Sequence, residues 1–212
     1  MSTRIKICGV TLPDDAARVA SVGVDFIGLN FWPRSKRHLD PARAPLVAGA
    51  ARGAGEPKIV GVFVDASVDE VAQIAADVPL DIVQLHGDET PDDVTAIAKA
   101  TKLPVWKSLA LGSATDVEHL EVWPVEHLLL DTPSAGRGGS GKTFDWSLAA
   151  LAHRRHPARQ FLLAGGLDPA NVAAAIAAVA PWGVDVATGV EVAPGIKDAD
   201  KVAAFVAAVR GA

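Results

Sequence analysis

Eight short runs rich in Val, Ile and Leu recur along the chain and alternate with segments of helical periodicity. Each run is too short and too rich in β-branched residues for an independent helix, which is typical of a buried strand. The runs are RIKICG, DFIGLNF, KIVGVFV, DIVQLHG, PVWKSLAL, EHLLLD, QFLLAGG and GVDVATG. Eight such repeats within 212 residues predict a parallel α/β sheet closed into a (β/α)8 TIM barrel, in preference to an open doubly wound sheet. We expect one domain over residues 1–212.

Helix-start signals separate several of these runs. They are Thr11 ahead of Pro13, a capping box from Ser67 to Glu70, Thr90 before Pro91, and Asp168 before Pro169. Two helical segments place apolar residues on one face and charges on the other, which predicts helices with one buried side. Their apolar residues are Val68, Val71, Ala72 and Ala75 in one, and Val202, Phe205, Val206 and Val209 in the other.

The charge balance excludes several classes of partner. With 20 Lys and Arg against 25 Asp and Glu, the chain is mildly acidic and has no run of like charges. It therefore lacks the basic surface that nucleic acids require and the polybasic patch that binds membranes. Because no signal-peptide core or long apolar stretch is present, we expect a cytoplasmic protein. A monomer is the expected state, with a homodimer as the alternative.

Metal and disulfide chemistry have little support in the sequence. Cys8 is the only cysteine, which excludes an intramolecular disulfide and cysteine-based zinc sites of the finger type. Four histidines lie in or beside helical or irregular stretches and form no metal-ligand pattern. These are His119, His127, His153 and His156. We expect neither a metal ion nor a cofactor.

The ends of the predicted strands carry the chemistry. Active sites of (β/α)8 barrels lie at the C-terminal ends of the strands, so the residues that close each run matter most. Polar residues and glycines replace branched apolar residues there. They are Cys8 and Gly9 in the first run, Asn30 and Arg37 after the second, Gln84 and His86 in the fourth, Asp131 in the sixth, Gly165 and Gly166 in the seventh, and Thr188 and Gly189 in the eighth.

The stretch GRGGSGKTFDW, residues 136–146, matches the Walker A pattern G-x-x-x-x-G-K-[ST]. A true Walker A loop joins a strand directly to a helix whose first turn carries the Lys and the Ser or Thr. Here four residues separate the strand end from the first glycine, and the helix signal begins only after Lys142 and Thr143. We therefore expect no nucleotide, and interpret the stretch as a loop that folds over the substrate and shields Asp131 from water. Whether Lys142 or Thr143 touches substrate stays open.

Taken together, the motifs along the chain resemble the phosphoribosylanthranilate isomerase family. They are IKICG, F-W-P-x-S-x-R, VGVFV, QLHGDE, LLLD, GGSGKTFDW, LAGGL-x-P-x-NV and GVE-x-x-PG-x-KD, in family order over nearly the whole chain. The resemblance implies a (β/α)8 barrel that acts without metal or cofactor. It also implies the Amadori rearrangement of N-(5-phospho-β-D-ribosyl)anthranilate to 1-(2-carboxyphenylamino)-1-deoxy-D-ribulose 5-phosphate in tryptophan biosynthesis.

The reaction needs a general acid at the ring oxygen and a general base at C2. The resemblance implies that Cys8 is the base and Asp131 the acid. The alternative for Cys8 is a small buried hydrophobe, and for Asp131 a helix cap or solvated acid. A thiol base would benefit from a lowered pKa, so we expect cationic neighbours or helix N-termini around Cys8. We expect Asp131 to be buried, because an exposed carboxyl has lost its proton at neutral pH.

The substrate carries two anions, and each needs a receptor. The guanidinium of Arg37 matches a planar carboxylate, although a solvent-facing cluster with Arg34 and Lys36 is the alternative. The phosphate is expected after strands seven and eight, where glycines let the backbone approach closely. The residues assigned to it are Gly165, Gly166, Thr188 and Gly189. Ala187 and Thr188 stand where the family commonly has two serines, and a lost hydroxyl contact at Ala187 could weaken phosphate binding.

Gln84 and His86 are further candidates for substrate binding. Gln84 could reach the sugar hydroxyls, whereas His86 is equally compatible with a structural role in a loop. Two other function classes are alternatives: a nucleotide hydrolase or kinase built on the Walker-like stretch, and a barrel that binds phosphate without catalysis. The presence of Cys8, Asp131 and Arg37 together favours the isomerase.

Overall fold

The structure is a computed structural model that describes residues 2–131 and 146–212. Eight parallel strands form a closed barrel in which each strand pairs with the next along the chain and β8 returns to β1. The strands are β1 (Arg4–Cys8), β2 (Phe26–Asn30), β3 (Lys58–Phe63), β4 (Ile82–Leu85), β5 (Val105–Ala110), β6 (His127–Asp131), β7 (Gln160–Leu163) and β8 (Gly183–Val186). The (β/α)8 prediction is confirmed, and each strand lies within one of the eight runs. The Walker-like stretch, with Lys142 and Thr143, lies outside the described residues except for Trp146, which begins the helix Trp146–Arg155.

The helices follow the strands in alternation. They are α1 (Pro13–Ser21), α2 (Ala44–Ala54), α3 (Val68–Asp77), α4 (Pro91–Thr101), α5 (Ala114–Glu118), α6 (Trp146–Arg155), α7 (Val172–Val179) and α8 (Ala199–Arg210). All four apolar residues predicted for the last helix are buried, as is Val71 in α3. Within the described ranges, no helix is long and apolar enough to span a membrane.

The helix-start signals are only partly capping residues. Thr90 forms a full capping box with Asp93, and the Ser67 hydroxyl accepts from the Glu70 amide. Thr11, in contrast, does not cap α1: Leu12 is the N-cap, and the Thr11 hydroxyl donates to the Gly195 carbonyl. Asp168, the predicted start signal after β7, lies in a turn that precedes α7. There the Asp168 carboxylate accepts from the amides of Ala170 and Asn171, and α7 starts at Val172.

The two apolar clusters of the barrel show which side of each strand faces the interior. Alternate residues of β1, Ile5 and Ile7, belong to the layer between barrel and helices. Lys6 and Cys8 therefore face the barrel interior, because successive strand residues point to opposite sides. A separate apolar cluster fills that interior. It consists of Phe26, Val60, Ile82, Trp106, Leu129, Leu162 and Ala164, with Trp182 packed against it.

A short hairpin between β8 and α8 was not predicted. It consists of β9 (Glu191–Ala193) and β10 (Ile196–Lys197), which pair antiparallel after a 3-10 turn at Thr188–Val190. The hydrogen bond from Thr11 to Gly195 ties it to the loop after β1. The hairpin carries Glu191 and Lys197 to the end of the barrel where the strands terminate, beside Cys8.

Candidate active site

Cys8 closes β1 at the barrel mouth, in a space that two glycines keep open. Gly28 is its register partner on β2, and a Cβ there would lie 2.8 Å from the Cys8 sulfur. Gly9 has φ +73°, in the left-handed region, and a Cβ at Gly9 would collide with the Arg37 side chain. The glycines therefore allow the thiol and the Arg37 stem to lie close to the end of β1.

The expected cationic neighbours of Cys8 are present, but its pKa is not lowered. Burial raises the pKa of the thiol, and Asp185 adds to that effect. Lys6 and Lys197 act in the opposite direction without overcoming burial. The pKa of the thiol stays raised because removal of the thiolate from water outweighs the effect of the two ammonium groups.

Asp131 is the last residue of β6 and is only 6% exposed. Its predicted burial is confirmed. The carboxylate lies 3.5 Å from Nε2 of His86, which follows β4. Because β6 is three strands away from β1 around the barrel, the acid and base candidates approach the mouth from different sides.

Gln84 and His86 form a polar row beside Asp131. The Gln84 amide nitrogen donates to the Ser108 hydroxyl at 2.9 Å and lies 3.5 Å from Nδ1 of His86. Its carbonyl oxygen Oε1 is buried and has no hydrogen-bond partner within the residues that the structure describes. A buried acceptor of this kind requires a donor from water, substrate or elsewhere. The contact of His86 with Asp131 was not anticipated from the sequence.

Arg37 is held tightly at the rim. Its Nε and one terminal nitrogen donate to the two carboxylate oxygens of Glu191 at 2.8 and 2.6 Å, and the same terminal nitrogen donates to the Thr188 hydroxyl at 3.0 Å. Hydrogen bonding to Glu191 raises the pKa of Arg37. The side chain is only 15% exposed, so it does not belong to a solvent-facing cluster with Arg34 and Lys36. Glu191 thus fixes the guanidinium in one orientation.

Lys197 joins the ends of β1 and β8. Its ammonium donates to the carbonyls of Cys8 and Ala187 at 2.6 and 3.3 Å, and to Glu191 at 2.7 Å. Burial lowers the pKa of Lys197. Burial acts to raise the pKa of the Glu191 carboxyl. Hydrogen bonds and charges from Arg37 and Lys197 outweigh burial, so the pKa of Glu191 is lowered. The network connects the proposed carboxylate receptor to the backbone of Cys8.

The glycines assigned to phosphate lie next to each other. Gly165 and Gly166 after β7 have φ of +85° and +66°, a conformation that favours glycine. A Cβ at Gly189, after β8, would collide with the Leu167 carbonyl oxygen. The loops after the seventh and eighth strands therefore pack closely only because glycine occupies this position, and Thr188 lies beside Gly189 in the same turn.

The chain matches one protein family over almost its whole length. The family model described as N-(5'phosphoribosyl)anthranilate (PRA) isomerase matches residues 5–208. The chain belongs to this family. Its membership confirms the resemblance of the motifs and the predicted isomerase activity.

Individual members of the PRA isomerase family are similar to this chain over almost their full length. N-(5'-phosphoribosyl)anthranilate isomerase of Myxococcus xanthus is 45% identical over 215 residues, covering 99% of this chain and 97% of the relative. A structure of monomers of the dimeric enzyme from Thermotoga maritima has 35% identity and a TM-score of 0.85, covering 99% and 100% of the two chains. A family enzyme in complex with reduced 1-(o-carboxyphenylamino)-1-deoxyribulose 5-phosphate has 34% identity, the same TM-score and the same coverage.

Four charged residues of this PRA isomerase site had no assigned role in the sequence analysis. Lys6 and Asp185 are charges in the middle of strand-like runs, at interior positions. Glu191 and Lys197 lie in the motif GVE-x-x-PG-x-KD, which carries part of the resemblance to the family. A charged residue within an apolar run or a turn could have identified all four. Buried charges are rarely found without partners, so such residues indicate an ion pair.

Proposed function

We propose that Cys8 and Asp131 carry the proton transfers of the rearrangement that this isomerase catalyses, the conversion of N-(5-phospho-β-D-ribosyl)anthranilate to 1-(2-carboxyphenylamino)-1-deoxy-D-ribulose 5-phosphate. The observation that carries the proposal is their placement: each is the last residue of a barrel strand, β1 and β6, at the end where such barrels bind substrate. The reaction moves protons and leaves the atomic composition unchanged, so it consumes no second reactant.

The chemistry begins with two proton transfers, one assigned to each of these residues. Asp131, as the acid, protonates the furanose oxygen, the C1–O bond breaks, and the nitrogen lone pair forms a C1=N bond. Cys8, as the thiolate base, then removes the proton from C2, and the electrons move to give an enolamine. Return of a proton to C1 and loss of the proton on the C2 oxygen give the ketose. The burial of Asp131 limits the access of water to the acid.

The two anion receptors lie on neighbouring parts of the rim. Arg37, oriented by Glu191, is assigned to the anthranilate carboxylate. The turns that contain Gly165, Gly166, Thr188 and Gly189 are assigned to the phosphate. The ligand of the related complex has a carboxyphenyl group and a 5-phosphate, which matches two anion sites. The hydrogen bond from Arg37 to Thr188 links the two receptors.

Gln84 and His86 complete the proposed site. The Gln84 oxygen has no hydrogen-bond partner among residues 2–131 and 146–212, and it is suited to accept a hydrogen bond from a sugar hydroxyl. His86, next to Asp131, is placed to hold that carboxyl in its orientation. Neither residue is assigned a proton transfer to substrate.

The assembly and location of the protein stay predictions. The relative from Thermotoga maritima is dimeric, whereas we expect this chain to be a cytoplasmic monomer, with a homodimer as the alternative. Sedimentation equilibrium of the purified protein will distinguish the two assemblies.

An activity assay tests the function directly. Freshly prepared phosphoribosylanthranilate is mixed with the purified protein, and the loss of its fluorescence is followed. We expect loss far above the spontaneous rate, without added metal or nucleotide. Loss at the spontaneous rate would reject the isomerase function, and a rise in melting temperature on addition of nucleotide would support the hydrolase alternative.

Arg37→Ala is expected to raise KM by about 10- to 100-fold, because a hydrogen-bonded charge is lost to the substrate carboxylate. The fall in kcat should be smaller. Steady-state kinetics on the variant measure both. Arg34→Ala is the matched control, since Arg34 is an exposed arginine of the same loop. An unchanged KM in Arg37→Ala, or equal effects in the two variants, would contradict the assignment.

A further inference from the structure

We infer that Lys6 is a positioning residue for the isomerisation: its buried ammonium, held by Asp185, stabilises the thiolate of Cys8. This inference deepens the proposed function and rests on the role of Cys8 as the base. Lys6 acts through Cys8 and is not assigned any contact with substrate.

The geometry places Lys6 directly below Cys8. The two residues are separated by one position on β1 and therefore face the same side, the barrel interior. Lys6 is 0% exposed, and its ammonium lies 2.9 Å from Oδ1 of Asp185, its register partner on β8. Lys6 is therefore a fully buried cation on the same strand and the same face as the thiol, and Asp185 fixes the position of its ammonium.

A purely structural role explains this pair poorly. The neighbouring interior is apolar, with Phe26, Trp106 and Leu162 among its members. Burying two charges in such surroundings has a desolvation cost that often cancels their attraction, so a buried ion pair is weak support for stability. A charge placed beside the thiol does have a chemical use, since it favours the ionised form of the base.

The charged groups around Cys8 come from four parts of the chain. Lys6 on β1 and Lys197 on β10 favour the thiolate, and Asp185 on β8 opposes it. Arg37, from the loop after β2, also interacts electrostatically with Cys8. Lys197 and Arg37 are both paired with Glu191. Among these groups Lys6 has the largest influence in favour of the thiolate, although burial still raises the pKa of Cys8.

The test is a titration of the thiolate of Cys8, monitored by its ultraviolet absorbance. Because Cys8 is the only cysteine, its signal is not mixed with that of another thiol. Lys6→Met is expected to move the midpoint upward by about one pH unit or more. At neutral pH, kcat should fall about tenfold for each unit of this shift, whereas KM changes little.

Lys6→Met leaves Asp185 as an unpaired buried charge and could prevent folding. The double variant Lys6→Met with Asp185→Asn removes both charges and keeps the fold testable. Lys6 has a larger effect on the ionisation of Cys8 than Asp185 has. The Cys8 titration midpoint of the double variant should therefore lie above that of the wild type. It should lie below the midpoint of Lys6→Met where that single variant folds. A double variant that folds and titrates like the wild type would overturn the inference.

Lys107→Met is the matched control. Lys107 on β5 is also a buried lysine in an ion pair, with Glu89 at 2.8 Å, but it points away from the barrel interior because its neighbours Trp106 and Ser108 point inward. This variant should be destabilised without a change in the titration of Cys8. A shift equal to that of Lys6→Met would show a general effect of destabilisation and would also overturn the inference. None of these titrations uses substrate, so their outcome is independent of the fluorescence assay.

Discussion

Cys8→Ser is expected to lower kcat by about 10²- to 10⁴-fold, the usual contribution of a positioned general base. A serine hydroxyl is close in size to the thiol but ionises far less readily, so it cannot accept the C2 proton at neutral pH. The fold should survive, because Gly28 leaves the same space for the hydroxyl. Turnover of phosphoribosylanthranilate and the melting temperature are the two measurements.

Cys8→Ala separates the base from a packing role. If Cys8 were only a small buried hydrophobe, alanine would be tolerated and turnover would remain near that of the wild type. We expect instead that alanine and serine lose turnover to a similar extent. Near-wild-type kcat in either variant would overturn the assignment of Cys8 as the base.

Asp131→Asn should reduce kcat by about 10²- to 10⁴-fold for a different reason. The amide keeps the shape of the carboxyl, but it cannot deliver a proton to the ring oxygen. The variant should therefore fail at ring opening, before any proton leaves C2. Measurement of both product formation and exchange of the C2 hydrogen with deuterated water locates the block.

Ring opening also distinguishes the acid from the base. Interconversion of the anomers proceeds through the open form, so Cys8→Ser should still accelerate it while Asp131→Asn should not. If Asp131 were only a cap or a solvated acid, Asp131→Asn would alter stability and leave turnover intact. The same result would contradict its role as the acid.

Much of the fold was predictable because its main features are local. Each buried strand is short and β-branched, and eight alternations with helices within 212 residues favour a closed barrel. Cys8 and Asp131 could be placed at strand ends by the same reasoning, and the structure puts them there. Burial of Asp131 followed from the needs of an acid, and it too is observed.

The contacts that tune the site were not predictable, because they join residues distant in sequence. Lys6 and Asp185 are separated by 179 positions, and only closure of the barrel between β1 and β8 brings them together. The orientation of Arg37 depends on Glu191, which reaches the rim on an unpredicted hairpin. The pKa of Cys8 is raised because burial outweighs its cationic neighbours. That balance depends on packing density and cannot be obtained from residue types.

A structure of this protein bound to reduced 1-(o-carboxyphenylamino)-1-deoxyribulose 5-phosphate tests the central assignment most directly. We predict the sulfur of Cys8 within about 3.5 Å of C2, as a reacting pair requires. We also predict the Asp131 carboxyl within about 3.2 Å of the C4 oxygen, the former ring oxygen. A ligand bound with C2 and the C4 oxygen beyond the reach of these two groups would contradict it.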